Sequence, residues 1–95
     1  MSRRFFLVCF DVSDDKIRYR VVKALKGAGI RVQKSVFECP GLGEKEFLRL
    51  KDRIDALIDH ETDSVRYYRL CKACVGEVEW SGVGEQPDTS SFKVV

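Results

Sequence analysis

Hydrophobic and polar positions follow two different periods in the first third of the chain, and each period predicts its own element. Residues 5–10 form an apolar run of strand length, which predicts a strand buried on both faces. Residues 13–15 (Ser-Asp-Asp) then supply helix-capping side chains and negative charge. Apolar residues recur at helical spacing from Asp15 to about Lys26, which predicts an amphipathic helix that Gly27 ends.

The middle of the chain predicts extended structure followed by a second helix. The segment Ile30 to Cys39 is rich in β-branched residues and mostly alternates, so it predicts one strand or two short ones, since no Gly or Pro marks a break inside it. Residues 40–43 (Pro-Gly-Leu-Gly) predict a turn. From Glu44 to about His60, apolar residues share one helical face and predict the second helix.

The last third predicts two more strands, over Asp63 to Cys71 and over Glu77 to Trp80. The resulting order indicates an α+β fold, a ferredoxin-like βαββαβ plait with an additional C-terminal strand and with both helices on one face of the sheet. We expect residues 1–82 to form this single domain, since 95 residues suit one domain. Residues 83–95 would form a C-terminal tail that docks as a short edge strand or stays loose.

The formal net charge of +2 conceals an uneven distribution of charge along the chain. Residues 1–34 carry nine basic and three acidic side chains, a net +6, whereas residues 35–95 carry eight basic and twelve acidic ones, a net −4. The segment from Lys16 to Lys34, with both ends included, contains seven basic residues and no acidic one. A basic helix face is commonly just a solvated surface. The second predicted helix mixes both signs, however, so the one-signed stretch favours a phosphate-binding surface.

Composition excludes several classes of protein. Hydrophobic residues make up 44% and charged residues 34% of the chain, which is typical of a folded globular protein and not of a disordered one. No apolar segment approaches the roughly 20 residues of a membrane-spanning helix. The N-terminal apolar run is also shorter than that of a secretory signal, and Asp11 ends it without a cleavage site. We therefore expect a cytoplasmic protein with no membrane partner.

The four cysteines include one closely spaced pair, Cys71 and Cys74, which has zinc-knuckle spacing. A structural zinc site needs four ligands, usually from two such pairs, and the sequence has a single histidine, His60, and no second pair. We therefore expect the pair to lie at a strand end or a turn.

Asp11 is the first candidate for chemistry, because a carboxylate directly after the apolar run would lie at the carboxyl end of a central strand. The alternative is structural, since Asp commonly starts turns. A carboxylate is a hard oxygen ligand that suits Mg²⁺, which needs only one or two of them with waters and phosphate. Nearby arginines are candidate phosphate contacts, namely Arg18, Arg20 and Arg31. A metal beside a basic surface is what phosphodiester chemistry requires.

Three segments carry a resemblance to a known family, namely residues 10–18 (Phe-Asp-Val-Ser-Asp-Asp-Lys-Ile-Arg), residues 29–39 (Gly-Ile-Arg-Val-Gln-Lys-Ser-Val-Phe-Glu-Cys) and residues 63–68 (Asp-Ser-Val-Arg-Tyr-Tyr). Together they resemble the CRISPR-associated protein 2 family, the small subunit of the spacer-acquisition machinery. The resemblance spans about residues 4–82. Phe10 departs from the family, which often has Tyr before the strand-end aspartate.

The resemblance implies a homodimer of ferredoxin-like protomers in which the late strand of one chain completes the sheet of the other. It also implies that Asp11 of both chains face each other across the two-fold axis and hold one Mg²⁺, which makes Asp11 both the catalytic and the metal-binding residue. Residues that it links with the nucleic-acid groove are Arg18, Arg20 and Arg31, supported by Ser35 and Phe37.

Three functions are compatible with the resemblance. The first is a dimeric, Mg²⁺-dependent endonuclease of CRISPR adaptation that hydrolyses RNA or duplex DNA. The second is a non-catalytic DNA-binding scaffold that bridges dimers of the integrase, CRISPR-associated protein 1. The third is a toxin-like RNase that would share the Asp11 chemistry but need no integrase.

Overall fold

The computed structural model describes residues 4–79 and 81–82. The elements, in chain order, are β1 (Arg4–Asp11), α1 (Asp15–Lys26), β2 (Ile30–Gln33), β3 (Val36–Leu42), α2 (Glu44–Leu57), β4 (Ser64–Leu70) and α3 (Lys72–Gly76). Among these described residues, no helix is both long enough and apolar enough to cross a lipid bilayer.

The four strands form one antiparallel sheet in the order β2-β3-β1-β4, so β1 lies in the interior between β3 and β4. This order and the βαββαβ succession confirm the predicted ferredoxin-like plait. Both long helices pack on the same face of the sheet, because one buried cluster contains Val8 of β1, Leu25 of α1 and Ile54 of α2. The short helix α3 follows the sixth element of the plait.

The side chains of the apolar run of β1 lie in two environments, one on each face of the sheet. Phe6, Val8 and Phe10 belong to the cluster that the helices cover. Because successive side chains of a strand point to opposite faces, Leu7 and Cys9 lie on the other face, where they are only partly buried. The prediction of a strand buried on both faces therefore holds only in part, since on this other face Phe5 is the one residue of β1 that is buried, against Val75 of α3.

Local hydrogen bonds explain why α1 begins where the sequence predicts. The Asp14 side chain accepts hydrogen bonds from the backbone N–H groups of Lys16 and Ile17, both at 2.9 Å. These bonds satisfy two amides that the first helical turn leaves without partners. The helix ends at Lys26, as predicted, with Gly27 as its C-terminal cap.

The predicted turn over residues 40–43 is wrong, because β3 continues to Leu42. Its pairing with β1 shifts register between Arg4 and Phe6, and Gly41 has a φ of 76°, a conformation that glycine adopts without a steric penalty. The Pro-Gly pair thus marks an irregularity within a strand instead of its end. Helix α2 is also shorter than predicted, since Ile58 is already extended.

The predicted strand over Glu77 to Trp80 is wrong over residues 77–79, which form a turn and irregular structure. Trp80 and residues 83–95, including the predicted C-terminal tail, lie outside the described residues. The chain forms α3 just before this segment, and Val75 of α3 is buried against Phe5 and Leu70. The sequence analysis missed this helix, whose five residues are too few to show a helical period.

Candidate functional site

Asp11 is the last residue of β1, and its side chain is exposed. It pairs across the sheet with Ser64, the first residue of β4. On the other side, the N–H of Phe10 donates a hydrogen bond of 3.0 Å to the carbonyl oxygen of Ser35, in the turn between β2 and β3. The carboxylate therefore lies at the predicted strand end, on backbone held by β4 on one side and by the turn before β3 on the other.

The loop that follows Asp11 is fastened by Asp63, a residue that the sequence analysis did not single out. Its carboxylate accepts hydrogen bonds from the N–H groups of Asp59, at 2.9 Å, and of Ser13, at 3.5 Å. These bonds, the one from Asp59 above all, hold the pKa of Asp63 below its usual value. Asp63 thereby connects the loop before β4 with the loop after β1.

Arg18, a predicted phosphate contact, donates hydrogen bonds to the same loop after β1. Its Nε donates to the carbonyl oxygen of Val12 at 3.2 Å and its Nη2 to that of Ser13 at 3.3 Å, while Nη2 also forms an ion pair with Asp15. The guanidinium therefore bridges the end of β1 and the first turn of α1. This geometry makes Arg18 a positioning residue for the Asp11 loop, and its contact with phosphate stays a prediction.

Arg31, another predicted phosphate contact, also donates hydrogen bonds to the backbone. Its Nε and Nη2 donate to the carbonyl oxygen of Lys34 at 3.1 and 2.6 Å. A guanidinium that holds one carbonyl through two donors fixes the turn between β2 and β3. The contact of Arg31 with nucleic acid likewise stays a prediction.

Arg20 lies in a different setting, on a solvent-facing stripe of α1. Four cations spaced three or four residues apart share this stripe, which we call the basic α1 face: Lys16, Arg20, Lys23 and Lys26. All four are exposed, and the sequence places no acidic residue between the first and the last of them. Tyr19, which is 67% exposed, lies beside them. Four of the seven residues of the basic stretch predicted from the sequence thus form a continuous cationic surface along α1.

The two predicted supporting residues lie against the end of β1. Ser35 contributes the carbonyl oxygen that accepts from Phe10. Phe37 is fully buried, and its ring centroid lies 6.2 Å from that of Phe10. Phe37 lies on the side of the sheet that the helices cover.

The opposite side of the sheet presents partly exposed apolar and charged side chains, which we call the open face. Cross-strand pairs align Leu7 with Tyr68 and Cys9 with Arg66, and on the other side Leu7 with Glu38. Ile30 of β2, at 53% exposed, and Tyr68, at 44%, are large hydrophobic side chains in contact with solvent. Burial raises the pKa of Glu38 above its usual value, so this face is already partly desolvated in one chain.

Asp11 lies on the open face as well, two residues beyond Cys9 on the same strand. Its exposed carboxylate is chemically suited to Mg²⁺, which takes hard oxygen ligands. Within residues 4–79 and 81–82, no three or more His, Cys, Asp or Glu side chains come together as a metal-ligand group. A site built on Asp11 therefore requires oxygen ligands beyond this set, from water, phosphate or a second chain.

Comparison with known proteins adds a family assignment to this geometry. The family model described as CRISPR associated protein Cas2 matches residues 4–78. The chain is 41% identical to the CRISPR-associated endoribonuclease Cas2 1 of Chloroflexus aurantiacus, over 90% of this chain and 92% of the relative. It is 37% identical to the CRISPR-associated endonuclease Cas2 2 of Thermus thermophilus, over the whole of both chains.

Solved structures agree with this similarity. Streptococcus pyogenes Cas2, in a crystal structure at pH 6.5, superposes with a TM-score of 0.74 at 38% identity, covering 82% of this chain and 99% of the other. A chain of a partial Cas6-RT-Cas1–Cas2 complex superposes with a TM-score of 0.68 at 30% identity, covering 80% of this chain and 88% of that one.

Proposed function

Because the chain belongs to the CRISPR associated protein Cas2 family, we propose that it is a homodimeric, Mg²⁺-dependent endonuclease of CRISPR adaptation that hydrolyses phosphodiester bonds of RNA or DNA. The observation that carries the proposal is the exposed Asp11 carboxylate, which lies on the open face at the end of a buried strand. The names of the relatives, one an endoribonuclease and one an endonuclease, support the same chemistry. We expect it to act in the cytoplasm.

The open face is the surface through which we propose that two chains pair. Exposed Ile30 and Tyr68 and half-buried Leu7 lose apolar contact with water when a second copy covers them. Besides Asp11, the face carries the anion Glu38 and the cation Arg66. A two-fold interface brings the same surface of both copies together, so we expect Glu38 of one copy to lie near Arg66 of the other. The two Asp11 carboxylates would then share one site.

The proposed mechanism assigns a separate task to each part of the chain. Asp11 of both protomers would hold the ion, and when bound the Mg²⁺ supplies a water of lowered pKa and stabilises charge on the transferring phosphoryl group. Arg18 and Asp63 fix the loop after Asp11, which orients its carboxylate. Exposed cations such as Arg20 bind the phosphates on either side of the cleaved bond.

The test is a cleavage assay of the wild type and Asp11→Asn, on RNA and on duplex DNA, with Mg²⁺ and with EDTA. The replacement is nearly isosteric and exposed, so we expect unchanged thermal unfolding and dimerisation with cleavage reduced about 100-fold or more. Asp52→Asn, an exposed carboxylate on α2, is the matched control and should cleave normally. Cleavage that survives in Asp11→Asn or in EDTA would contradict the assignment.

The basic α1 face favours a second function, a non-catalytic scaffold that binds DNA and bridges dimers of the integrase, CRISPR-associated protein 1. The similar chain in the Cas1–Cas2 complex supports such a partnership. Under this function, Asp11→Asn leaves spacer acquisition in cells intact, whereas Arg20→Gln combined with Lys23→Gln impairs it. The reverse pattern would reject the scaffold and retain the nuclease. Cleavage of RNA that needs no integrase in cells would indicate a toxin-like RNase.

A further inference from the structure

Two of the four cysteines lie together at the surface, away from the proposed metal site. Cys71 and Cys74 are exposed, whereas Cys39 is buried and Cys9 is partly buried. Exposure of both members of a pair is unusual, since free cysteines are among the most buried residues. Cys71 directly follows β4 and caps α3, so the pair lies at a strand end, as predicted, and occupies the first turn of a helix.

We propose that Cys71 and Cys74 are a redox-active dithiol that closes reversibly into an intramolecular disulfide. Their Sγ atoms are 3.2 Å apart, in contact and without an intervening side chain. Residues three apart in a helical turn place their Cα atoms within the span that a disulfide bridges. Val75, which is 1% exposed, packs against Phe5 and Leu70 and holds this turn on the protein.

The local hydrogen bonds assign different roles to the two thiols. The backbone N–H of Cys74 donates to Sγ of Cys71 at 3.4 Å, and the two thiol sulfurs lie within hydrogen-bonding distance of each other at 3.2 Å. These bonds lower the pKa of Cys71 and raise that of Cys74. Cys71 is therefore the attacking thiolate and Cys74 the resolving thiol.

A low-molecular-weight disulfide such as glutathione disulfide is the oxidant in the proposed reaction. The Cys71 thiolate attacks one of its sulfurs, forms a mixed disulfide and expels one glutathione thiolate, which takes up a proton. Cys74 loses its proton and attacks the sulfur of Cys71, which expels the second glutathione thiolate. The pair has then lost two electrons, and the oxidant has gained them as two thiols. An excess of reduced glutathione reverses both steps.

The remaining cysteines serve as internal controls for the test. Burial raises the pKa of Cys39 to about 11, from an ordinary 9.0. At neutral pH its thiolate is therefore about 100-fold rarer than that of an unperturbed thiol. We expect a small excess of iodoacetamide to alkylate Cys71 about 100-fold faster than Cys39, as followed by peptide mass spectrometry.

The decisive experiment equilibrates the purified full chain with glutathione buffers of increasing oxidised fraction, traps free thiols by alkylation and weighs the protein. The wild type should lose two alkylatable thiols together, remain uncrosslinked between chains and retain no glutathione. Cys74→Ser should instead retain one glutathione on Cys71, and Cys71→Ser should react more slowly. Cys9→Ser should behave as the wild type.

Several results would overturn the proposal. One is equal glutathione adduct formation by the Cys71→Ser and Cys74→Ser variants, and another is oxidation that crosslinks chains through Cys9. A third is zinc that copurifies with the wild type in stoichiometric amount, is lost in Cys71→Ser and protects both thiols from alkylation, because the pair would then be half of a metal site. Since none of these readouts involves cleavage, the proposal stands or falls independently of the nuclease.

Discussion

Replacement of Arg20 by Gln is the sharpest test of the basic α1 face as a phosphate-binding surface. The side chain is exposed and belongs to a one-signed stripe. Removing its charge should therefore weaken nucleic-acid binding while leaving the fold intact. Arg18→Gln makes a different change, because the Arg18 guanidinium donates to the carbonyl oxygens of Val12 and Ser13.

The expected magnitude follows from counterion release. Each phosphate contact contributes about −0.9 to the slope of log K against log salt for duplex DNA. A dimer presents Arg20 twice, so its loss should make the slope about 1.8 less steep. Between about 50 and 200 mM salt, two such contacts account for roughly a 12-fold change in affinity. Over this salt range, the fold-decrease in affinity should therefore be about 12 times smaller for the variant than for the wild type.

The assay is fluorescence anisotropy of a short labelled duplex, titrated at several salt concentrations in EDTA so that no cleavage occurs. Arg53→Gln is the matched control, an exposed arginine on α2, where Asp52 and Asp55 balance the charge. We expect its slope to stay close to the wild-type value. Equal slopes for Arg20→Gln and Arg53→Gln would refute the assignment of the basic α1 face.

Two further predictions concern the scaffold that holds the site. A Cβ at Gly29 would lie 2.3 Å from the carbonyl oxygen of Glu38, so Gly29→Ala should lower the free energy of unfolding by about 2–4 kcal/mol in urea titrations. Gly76→Ala is the control, because a Cβ there meets nothing within 4 Å and the free energy of unfolding should stay almost unchanged. Equal effects of the two substitutions would contradict the close approach. Hydrogen bonds lower the pKa of Asp63 from its ordinary 3.8, so its stabilising contribution is complete above that value and lost as the pH falls through the folded-state pKa. Asp63→Asn should thus be less stable than the wild type at pH 7 but equal to it in strong acid, and a difference independent of pH would contradict this.

Much of the fold follows from signals local in the sequence. The apolar run and Asp11 bound β1, and the Asp14 cap with the helical apolar spacing sets α1 to the residue. These elements depend on side chains within a few positions of one another. Asp11 as a candidate is local in the same sense, because a carboxylate that ends an apolar run is visible without the fold.

Other features of the fold depend on tertiary or side-chain contacts that the sequence pattern does not show. The turn between β2 and β3 has no Gly or Pro, and the Arg31 side chain on the Lys34 carbonyl helps to hold it. The Pro40-Gly41 pair is typical of a turn, yet pairing with β1 keeps it in a strand.

The candidate site shows the same division between local and tertiary signals. Its three arginines look equivalent in the sequence, and only the direction of each guanidinium separates Arg20, which faces solvent, from Arg18 and Arg31, which bind backbone. Asp63 was missed because its function depends on two loops that meet only in the fold.

The central claim is that one nuclease site is shared by Asp11 of two chains, and subunit mixing measures this most directly. Wild type and Asp11→Asn are unfolded together in varying proportion, refolded at constant total concentration and assayed for Mg²⁺-dependent cleavage. If both carboxylates are needed, activity follows the square of the wild-type fraction, and an equal mixture retains about one quarter. Activity that falls in simple proportion, with about half remaining in the equal mixture, would contradict a shared site.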